Sequence, residues 1–419
     1  MNASLAFVRL NRRWLAAGFL LLFVSSFGQS FFVSLSGGEI RRAFALSNGD
    51  FGLLYMGVTL AGALTLAFVG PVVDRWSARR SAMLAVWALA LGALLLALAP
   101  GPVALAAALF LLRLFGQGFC VHAAYTLLGR WFGPGRAEGR GRAVSLASLG
   151  LNAGQAVLPP LFAFALAPLG WRGIWGAVAA LLVLLAVPLA GVLFARERRP
   201  AEAPGGSEAM AGWTRREALR DPLFPLLLLA MLPPAFISNT ILFHQAYLGE
   251  LRGWSPGLFA SALPLYALTT LGSLLLAGWC VDKRSARAFL PLYLLPLGLG
   301  CLVLGQVEGP RAAFLFLVLY GLSDGFSLTL FGTLWPEVYG TRHLGAIRSA
   351  IVPLMVLAAA LGPGLGGVLI DRGVSYPLIL TLLGLYCIAV SALMVPVVRR
   401  LKRRAPEPQS GSPRPVLAD

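Results

Sequence analysis

Long apolar runs dominate the chain and predict membrane-spanning helices, each of which needs about 20 mostly apolar residues. Ten runs of at least 20 residues contain no Asp, Glu, Lys or Arg: 14–38, 51–73, 81–112, 143–171, 173–195, 222–249, 253–281, 288–307, 349–370 and 373–398. A Pro-Gly-Pro turn at 100–102 divides the third run, whose second part continues to about residue 128. The stretch 312–336 is equally apolar although it contains Asp324. The pattern therefore predicts twelve spans.

Composition supports this interpretation. The chain is 58% hydrophobic and only 12% charged, whereas an ordinary soluble domain is about 25% charged. A soluble protein of 419 residues could not bury that much apolar surface, because cores stop growing and long chains divide into domains. Soluble enzymes and disordered proteins are excluded, and we expect an all-α membrane protein of two six-helix bundles.

Positive charge is high but lies between the apolar runs. The chain has 34 Lys and Arg against 17 Asp and Glu, a net charge of +17. With the N-terminus inside, the inner segments carry 27 of the basic residues and the outer loops carry 6. This bias predicts cytoplasmic termini in a bacterial inner membrane and argues against nucleic-acid binding. The first apolar run is too long for a signal peptide, so we expect it to remain as the first span.

The charge pattern also divides the chain. Residues 196–221 are charged and contain Pro and Gly, and they follow the sixth span. We therefore predict an N-terminal bundle over 1–195, a cytoplasmic linker over 196–221, a C-terminal bundle over 222–398 and a disordered basic tail over 399–419.

No soluble catalytic constellation is visible. The chain has no GxxxxGK[ST] phosphate loop and no HExxH, its three histidines lie in separate segments, and its four cysteines form no CxxC pair. We predict neither an enzyme nor a primary ATP-driven pump, with no cofactor and no metal site.

An internal repeat links the two halves. The loop after the second span reads GPVVDRWSARR from Gly70, and the loop after the eighth reads GWCVDKRSARA from Gly278. Six of the eleven positions are identical at an offset of 208 residues. An offset of half the chain is typical of a duplicated six-helix unit.

These two loops resemble the signature that follows the second helix in the major facilitator superfamily. The signature positions present in this chain are Gly70, Asp74, Arg75, Arg79, Gly278, Asp282, Lys283 and Arg287. Ser77 and Ala78 depart from the usual Gly and basic residue. The resemblance implies a gate that locks the cytoplasmic side while the carrier faces outward. The alternative is that these charges only set topology.

The physical chemistry of the gating motif agrees with that role. A carboxylate beside a helix N-terminus is favoured by the helix dipole, and arginines pair with carboxylates or lipid phosphates. We expect Gly70 and Gly278 to allow close packing of the helix end.

A second resemblance is to the monocarboxylate and oxalate/formate carriers. It rests on the loop from Arg130 through Arg136 and on the glycines and Pro159 of the fifth span. Those carriers bind carboxylates through basic residues in helices 8 and 11, but the runs 253–281 and 349–370 carry no charge.

Arg113 and Asp324 lie near the middle of the fourth and tenth spans, where an ion is costly and usually faces a cavity or a partner. These spans correspond under the repeat, because the segment from Gln117 aligns with that from Asp324 at an offset of 207. Arg113 resembles the superfamily's helix-4 arginine, although Gln117 and Gly118 come one residue late. We predict that Arg113 binds an anion and Asp324 a proton. The alternative is a purely structural pair.

Other polar residues in the spans are candidate substrate contacts: Gln29, Asn239, His244, Gln245 and Tyr320. The alternative for each is helix packing, which we favour for Asn152, Gln155 and Tyr266.

The sequence thus predicts a monomeric secondary transporter that moves a small organic solute, expected to be an organic anion, by alternating access with protons as the coupling ion. A carrier that exports amphipathic drugs is the alternative, and a receptor on the same fold a more remote one.

Overall fold

The computed structural model describes residues 2–132, 137–196, 212–255, 257–340 and 343–404. The first half begins with three helices interrupted by 3₁₀ turns: α1 Asn2–Ser25, α2 Ser30–Val33 and α3 Gly37–Phe44. It continues with α4 Asn48–Val69, α5 Val72–Arg75, α6 Ala78–Leu98, α7 Pro102–Leu111, α8 Val121–Trp131, α9 Ala137–Leu181 and α10 Val187–Leu193.

The second half repeats this pattern. It contains α11 Arg215–Arg220, α12 Phe224–Met231, α13 Pro233–Phe243, α14 Gln245–Arg252, α15 Leu258–Arg284, α16 Leu295–Gln306, α17 Arg311–Tyr339, α18 Leu344–Asp371 and α19 Tyr376–Arg404.

Local sequence signals set several of these boundaries. Ser47 caps α4 in a capping box, in which its hydroxyl accepts from the Asp50 amide at 2.9 Å and the Asp50 carboxylate accepts from the Ser47 amide at 3.1 Å. Ser77 caps α6 through the Arg80 amide. Pro102 occupies the first turn of α7, where its missing N–H costs nothing.

The helices agree with the twelve predicted spans. In the described ranges, nine helices are long and apolar enough to cross a membrane, and the pair Ala6–Gly28 and Ser30–Phe44, bent by 44°, forms a tenth span. One of the nine, Ala143–Leu193, covers two predicted spans with a break at Gly170, where φ is +63°. The shorter apolar helix Leu295–Gln306 occupies the predicted ninth span. A count of twelve is consistent with this arrangement.

The helices form two bundles that pack against each other. Within the halves, α1 packs along α9, α15 along α17, and α16 along α19. Between the halves, α4 packs along α18 and α9 along α15. We call the end that bears the N-terminus and the linker the termini face, and the other end the opposite face.

The described contacts between the halves hold the opposite face together. Gln245 to Ser34, Arg41 to Glu250 at 3.3 Å and the Gly49 amide to Asp371 at 2.7 Å join the halves at this face, and Ser30 to Asn239 joins them at the level of Arg113. The rings of Phe51 and Phe243 stack there with centroids 4.9 Å apart. The two bundles are therefore closed at this face.

A π-helix, Leu112–Cys120, separates α7 from α8. Its hydrogen bonds span five residues instead of four, so each π turn accommodates one extra residue. The repeat agrees with such a residue, since the offset is 208 at the motif loops and 207 at Gln117. The same insertion accounts for the late position of Gln117 after Arg113.

The predicted domain boundaries remain predictions. Residues 197–211 of the predicted linker and 405–419 of the predicted tail lie outside the described residues. The end of the linker contacts the second half, where the Trp213 amide donates to the Tyr339 carbonyl at 2.8 Å.

Candidate functional site

Arg113 is buried in the first half and held on two sides. Its side chain is 4% exposed. Nε donates to the Thr59 hydroxyl at 3.0 Å, and Nη1 donates to the Gly28 carbonyl at 3.0 Å and to the Ser30 hydroxyl at 3.2 Å. The guanidinium carbon lies 4.9 Å from the centroid of the Tyr55 ring. Nη2 has no hydrogen-bond partner among the described residues.

A break in the first span supplies two of these acceptors. The 3₁₀ turn Ser26–Gly28 ends at Gln29, whose φ of −78° and ψ of 151° are extended. An extended residue interrupts the helical ladder, which frees the Gly28 carbonyl to accept from Arg113. The first span is therefore irregular at the level of Arg113.

Ser30 connects Arg113 to the second half. Its hydroxyl accepts from Arg113 and from the Tyr55 hydroxyl, the latter at 3.1 Å, and donates to Asn239 Oδ1 at 2.6 Å. Asn239 lies on α13, and its amide Nδ2 donates to the Ala235 carbonyl at 2.8 Å. This places the predicted substrate contact Asn239 one hydrogen bond from the Arg113 cluster.

Asp324 lies in an aromatic environment within the second half. The Tyr266 hydroxyl of α15 donates to its Oδ2 at 2.8 Å. The rings of Tyr266 and Tyr320 stack with centroids 4.7 Å apart, and Phe316 stacks on Tyr320. Tyr266 therefore contacts a candidate site residue directly, beyond the packing role that the sequence suggested for it.

Arg113 and Asp324, both fully described, form no ion pair with each other. Their local partners lie in different halves, and no described basic side chain pairs with Asp324. The structural Arg113–Asp324 pair, which the sequence left open as an alternative, is absent from this conformation. A path between them runs through α13, where Asn239 bonds Ser30 and its neighbour Ser238 lies beside the Tyr320 side chain.

Gln245 and His244 lie at the opposite face, away from Arg113. Gln245 Nε2 donates to the Ser34 hydroxyl at 2.9 Å, and the residue lines a cavity of about 170 Å³ between the halves. The His244 ring, 3% exposed, contacts the Pro363 carbonyl through Nε2 at 3.0 Å. Its position is that of a packing residue between α13 and α18.

Gln29 is partly buried beside the Arg113 cluster, and its side chain has no hydrogen-bond partner among the described residues. Within the described ranges no cluster of three His, Cys, Asp or Glu side chains is placed to hold a metal ion.

Sequence reasoning missed Tyr55 and Thr59 of the second span. They are four residues apart, so they share one helix face, and both contact Arg113. A polar or aromatic pair at this spacing in an otherwise apolar run was the available signal.

Comparison with known proteins identifies the family. A model of the Major Facilitator Superfamily matches residues 18–363. The chain belongs to this superfamily. The structure resembles that of a bacterial homolog of the human lysosomal transporter Spinster in an inward-facing, unoccupied conformation, with TM-score 0.72, 18% identity, and coverage of 93% of this chain and 97% of that one.

The inward-facing, occupied form of that bacterial homolog also matches, with TM-score 0.63 and 17% identity over 93% of this chain and 95% of that one. At these identities the likeness concerns the fold. A search of curated proteins found no match. As a superfamily member, the chain is a multi-pass membrane transporter and not an enzyme.

The gating motif of this superfamily member is described in part. The side chains of Asp74 and Asp282 lie outside the described residues. Arg287 pairs with Glu337 at 2.9 Å and donates to the Leu401 carbonyl at 3.2 Å. Lys283 lies 3.9 Å from the Trp279 ring centroid.

The two motif glycines differ. A Cβ on Gly70 would lie 3.4 Å from His122 Nε2 of α8, whereas one on Gly278 would meet nothing within 4 Å. The expected close packing at Gly278 is therefore wrong for this conformation, because the end of α15 has no neighbouring backbone there.

Proposed function

We propose that this secondary transporter carries a small organic anion by alternating access and couples its movement to protons. We place it as a monomer in the bacterial inner membrane, with both termini and the linker in the cytoplasm. The observation that carries the proposal is a buried arginine, Arg113, whose charge no described carboxylate compensates.

An uncompensated cation in a protein interior is costly. Neutral acceptors hold Nε and Nη1 of Arg113, which fixes the guanidinium plane. The two N–H groups of Nη2 are then left to donate to a ligand. A carboxylate suits a guanidinium because both groups are planar and because hydrogen bonds between ions are strong. An organic carboxylate would supply the missing negative charge.

Asp324 is the proposed proton site. Its described hydrogen-bond partner is the neutral Tyr266, so its negative charge is also uncompensated at mid-membrane depth. Uptake of a proton removes that desolvation cost. Tyr266 can donate to the carboxylate and accept from the carboxylic acid, and this supports both protonation states in one geometry.

The conformation agrees with alternating access. Contacts between the halves hold the opposite face closed, and with cytoplasmic termini that face is extracellular. We therefore assign the structure to the inward-facing part of the cycle.

Counterflow in proteoliposomes tests the substrate class. Small organic acids and lipophilic cations are compared in wild-type protein, in Arg113→Gln and in the control Arg172→Gln, which removes an arginine that bonds the Ala99 carbonyl at the opposite face. We expect exchange of an acid by wild type and by Arg172→Gln, with at least a tenfold loss in Arg113→Gln. Exchange of cations alone would instead favour the drug-export alternative.

Accessibility of an epitope tag tests the proposed topology. A tag within 196–221 should be protected in intact cells and reached after permeabilisation. A tag that is reached from outside would contradict the topology.

A further inference from the structure

The Ser30 hydroxyl has no unused hydrogen-bonding capacity. A serine hydroxyl offers one proton and two acceptor positions. The proton goes to Asn239 Oδ1 across the boundary between the halves, and the two acceptor positions take Nη1 of Arg113 and the Tyr55 hydroxyl. Ser30 is 6% exposed. Any new acceptor for its proton must therefore displace Asn239.

Asn239 is the second-half partner in this contact. Its Nδ2 is held by the Ala235 carbonyl of its own helix, which fixes the amide so that Oδ1 points to Ser30. The described hydrogen bonds between the halves otherwise lie toward the opposite face. Ser30–Asn239 is the one beside Arg113.

A series of neighbouring side chains leads from Asn239 to Asp324. Ser238, next to Asn239 on α13, lies beside the Tyr320 side chain. Tyr320 stacks on Tyr266, which donates to Asp324. A displacement of α13 at Asn239 therefore moves Ser238 relative to the stacked pair Tyr266 and Tyr320, which contacts Asp324.

We propose that Ser30 is the positioning residue that reports anion occupancy at Arg113 to the second half, by transferring its hydrogen bond from Asn239 to the bound anion. The proposal deepens the proposed function and rests on it for the anion. It assigns to Ser30 and Asn239 a signalling contact in addition to any contact with substrate.

Two physical effects drive the transfer. A hydrogen bond to an ionised acceptor is about twice as strong as one to a neutral amide, so a carboxylate beside Arg113 outcompetes Asn239 Oδ1 for the Ser30 proton. The anion also draws the guanidinium toward itself and weakens the Arg113–Ser30 bond of 3.2 Å. With Asn239 released, the halves lose their link at the site and α13 is free to move with its neighbours on α17.

The test compares Ser30→Ala with Thr59→Val in the full-length chain. Thr59 also bonds Arg113 and is also buried, but its contact lies within the first half. Each variant is measured for anion affinity, for protons taken up per anion in liposomes, and for the anion-induced change in distance between spin labels. The labels replace Val103 and Val307, exposed residues at the opposite face of the first and second halves.

We expect both variants to lose anion affinity by about tenfold or more, as for one hydrogen bond to a charged group. Ser30→Ala alone should lose the anion-induced distance change and at least half of the proton-to-anion ratio. Asn239→Leu should behave like Ser30→Ala, the double variant should add nothing further, and Ser30→Thr should restore coupling because it keeps the hydroxyl.

The outcomes separate the two proposals. If wild type binds no organic anion, the proposed function fails. If wild type binds and couples while Ser30→Ala couples equally well, or if Thr59→Val uncouples as strongly as Ser30→Ala, the role of Ser30 is overturned and the proposed function stands.

Discussion

Gly28 and Gly116 lie so close together that neither position has room for a side chain. A Cβ on Gly28 would lie 2.7 Å from the Gly116 Cα, and a Cβ on Gly116 would lie 2.6 Å from the Gly28 Cα. This contact presses the break in the first span against the π-helix. It thereby brings the Gly28 carbonyl within reach of Arg113.

Gly116→Ala should therefore destabilise the protein by about 1–3 kcal/mol, the cost of overpacking against backbone that cannot yield. It should also weaken anion binding, because the Arg113 acceptors move apart. Thermal unfolding in detergent measures the first effect and ligand binding the second.

Gly57→Ala is the matched control, since a Cβ at Gly57 in α4 would meet nothing within 4 Å. It should leave stability unchanged or raise it by up to about 1 kcal/mol, the helix preference for Ala. Equal behaviour of the two variants would show that the Gly28–Gly116 contact does not matter.

Asp324→Asn should give a folded but uncoupled protein. Because Asp324 forms no ion pair with Arg113, the substitution leaves no buried arginine without its partner, and the cost of about 3–5 kcal/mol for breaking such a pair should not arise. Substrate-driven proton uptake into liposomes should be lost, whereas counterflow should persist.

Tyr266→Phe serves as the companion variant, since it removes the hydrogen bond to Asp324 and keeps the ring stack. We expect partial uncoupling. A folded Asn variant that still acidifies the lumen with substrate would eliminate Asp324 as the proton site.

Asp371 should hold the opposite face closed. Its carboxylate accepts from the Gly49 amide in the first turn of α4, where the helix dipole favours negative charge. A hydrogen bond to a charged group contributes about 1.5–3 kcal/mol, and solvent screening reduces this value because Asp371 is exposed, so Asp371→Ala should shift the population toward opening of this face by up to about tenfold. Labelling of an introduced cysteine in the cavity beside Gln245 measures the shift.

The comparison variant is Arg41→Gln, which removes the ion pair with Glu250. The Glu250 side chain is 50% exposed, and such pairs contribute at most about 1 kcal/mol. A larger effect from Arg41→Gln than from Asp371→Ala would assign the closure to the ion pair.

Asp74→Asn should shift the carrier toward the inward-facing state and reduce transport, if the motif stabilises the outward-facing state as proposed. Asp282→Asn should act in the same direction. Unchanged flux together with unchanged cysteine labelling at the cytoplasmic mouth would contradict the lock.

The apolar pattern predicted where helices lie, because burial in lipid leaves the backbone few other structures. It did not predict the break at Gln29, since Gln29 stands in a run without charges and an extended residue there is stabilised by Arg113, which is far away in sequence. Arg113 and Asp324 could be found because ions are rare in spans. Ser30 could not, because its importance comes from three partners that only the fold assembles.

The π-helix also sets which side of α8 shares a face with Arg113. Each residue of a helix turns by about 100°, so deleting Phe115 would rotate Arg113 relative to α8. The arginine and its acceptors Thr59 and Gly28 would all remain in the chain, but the side chains of α8 that lie on the same side as the cation would change. The number of residues between Arg113 and α8, and not only their identity, therefore determines what surrounds the charge.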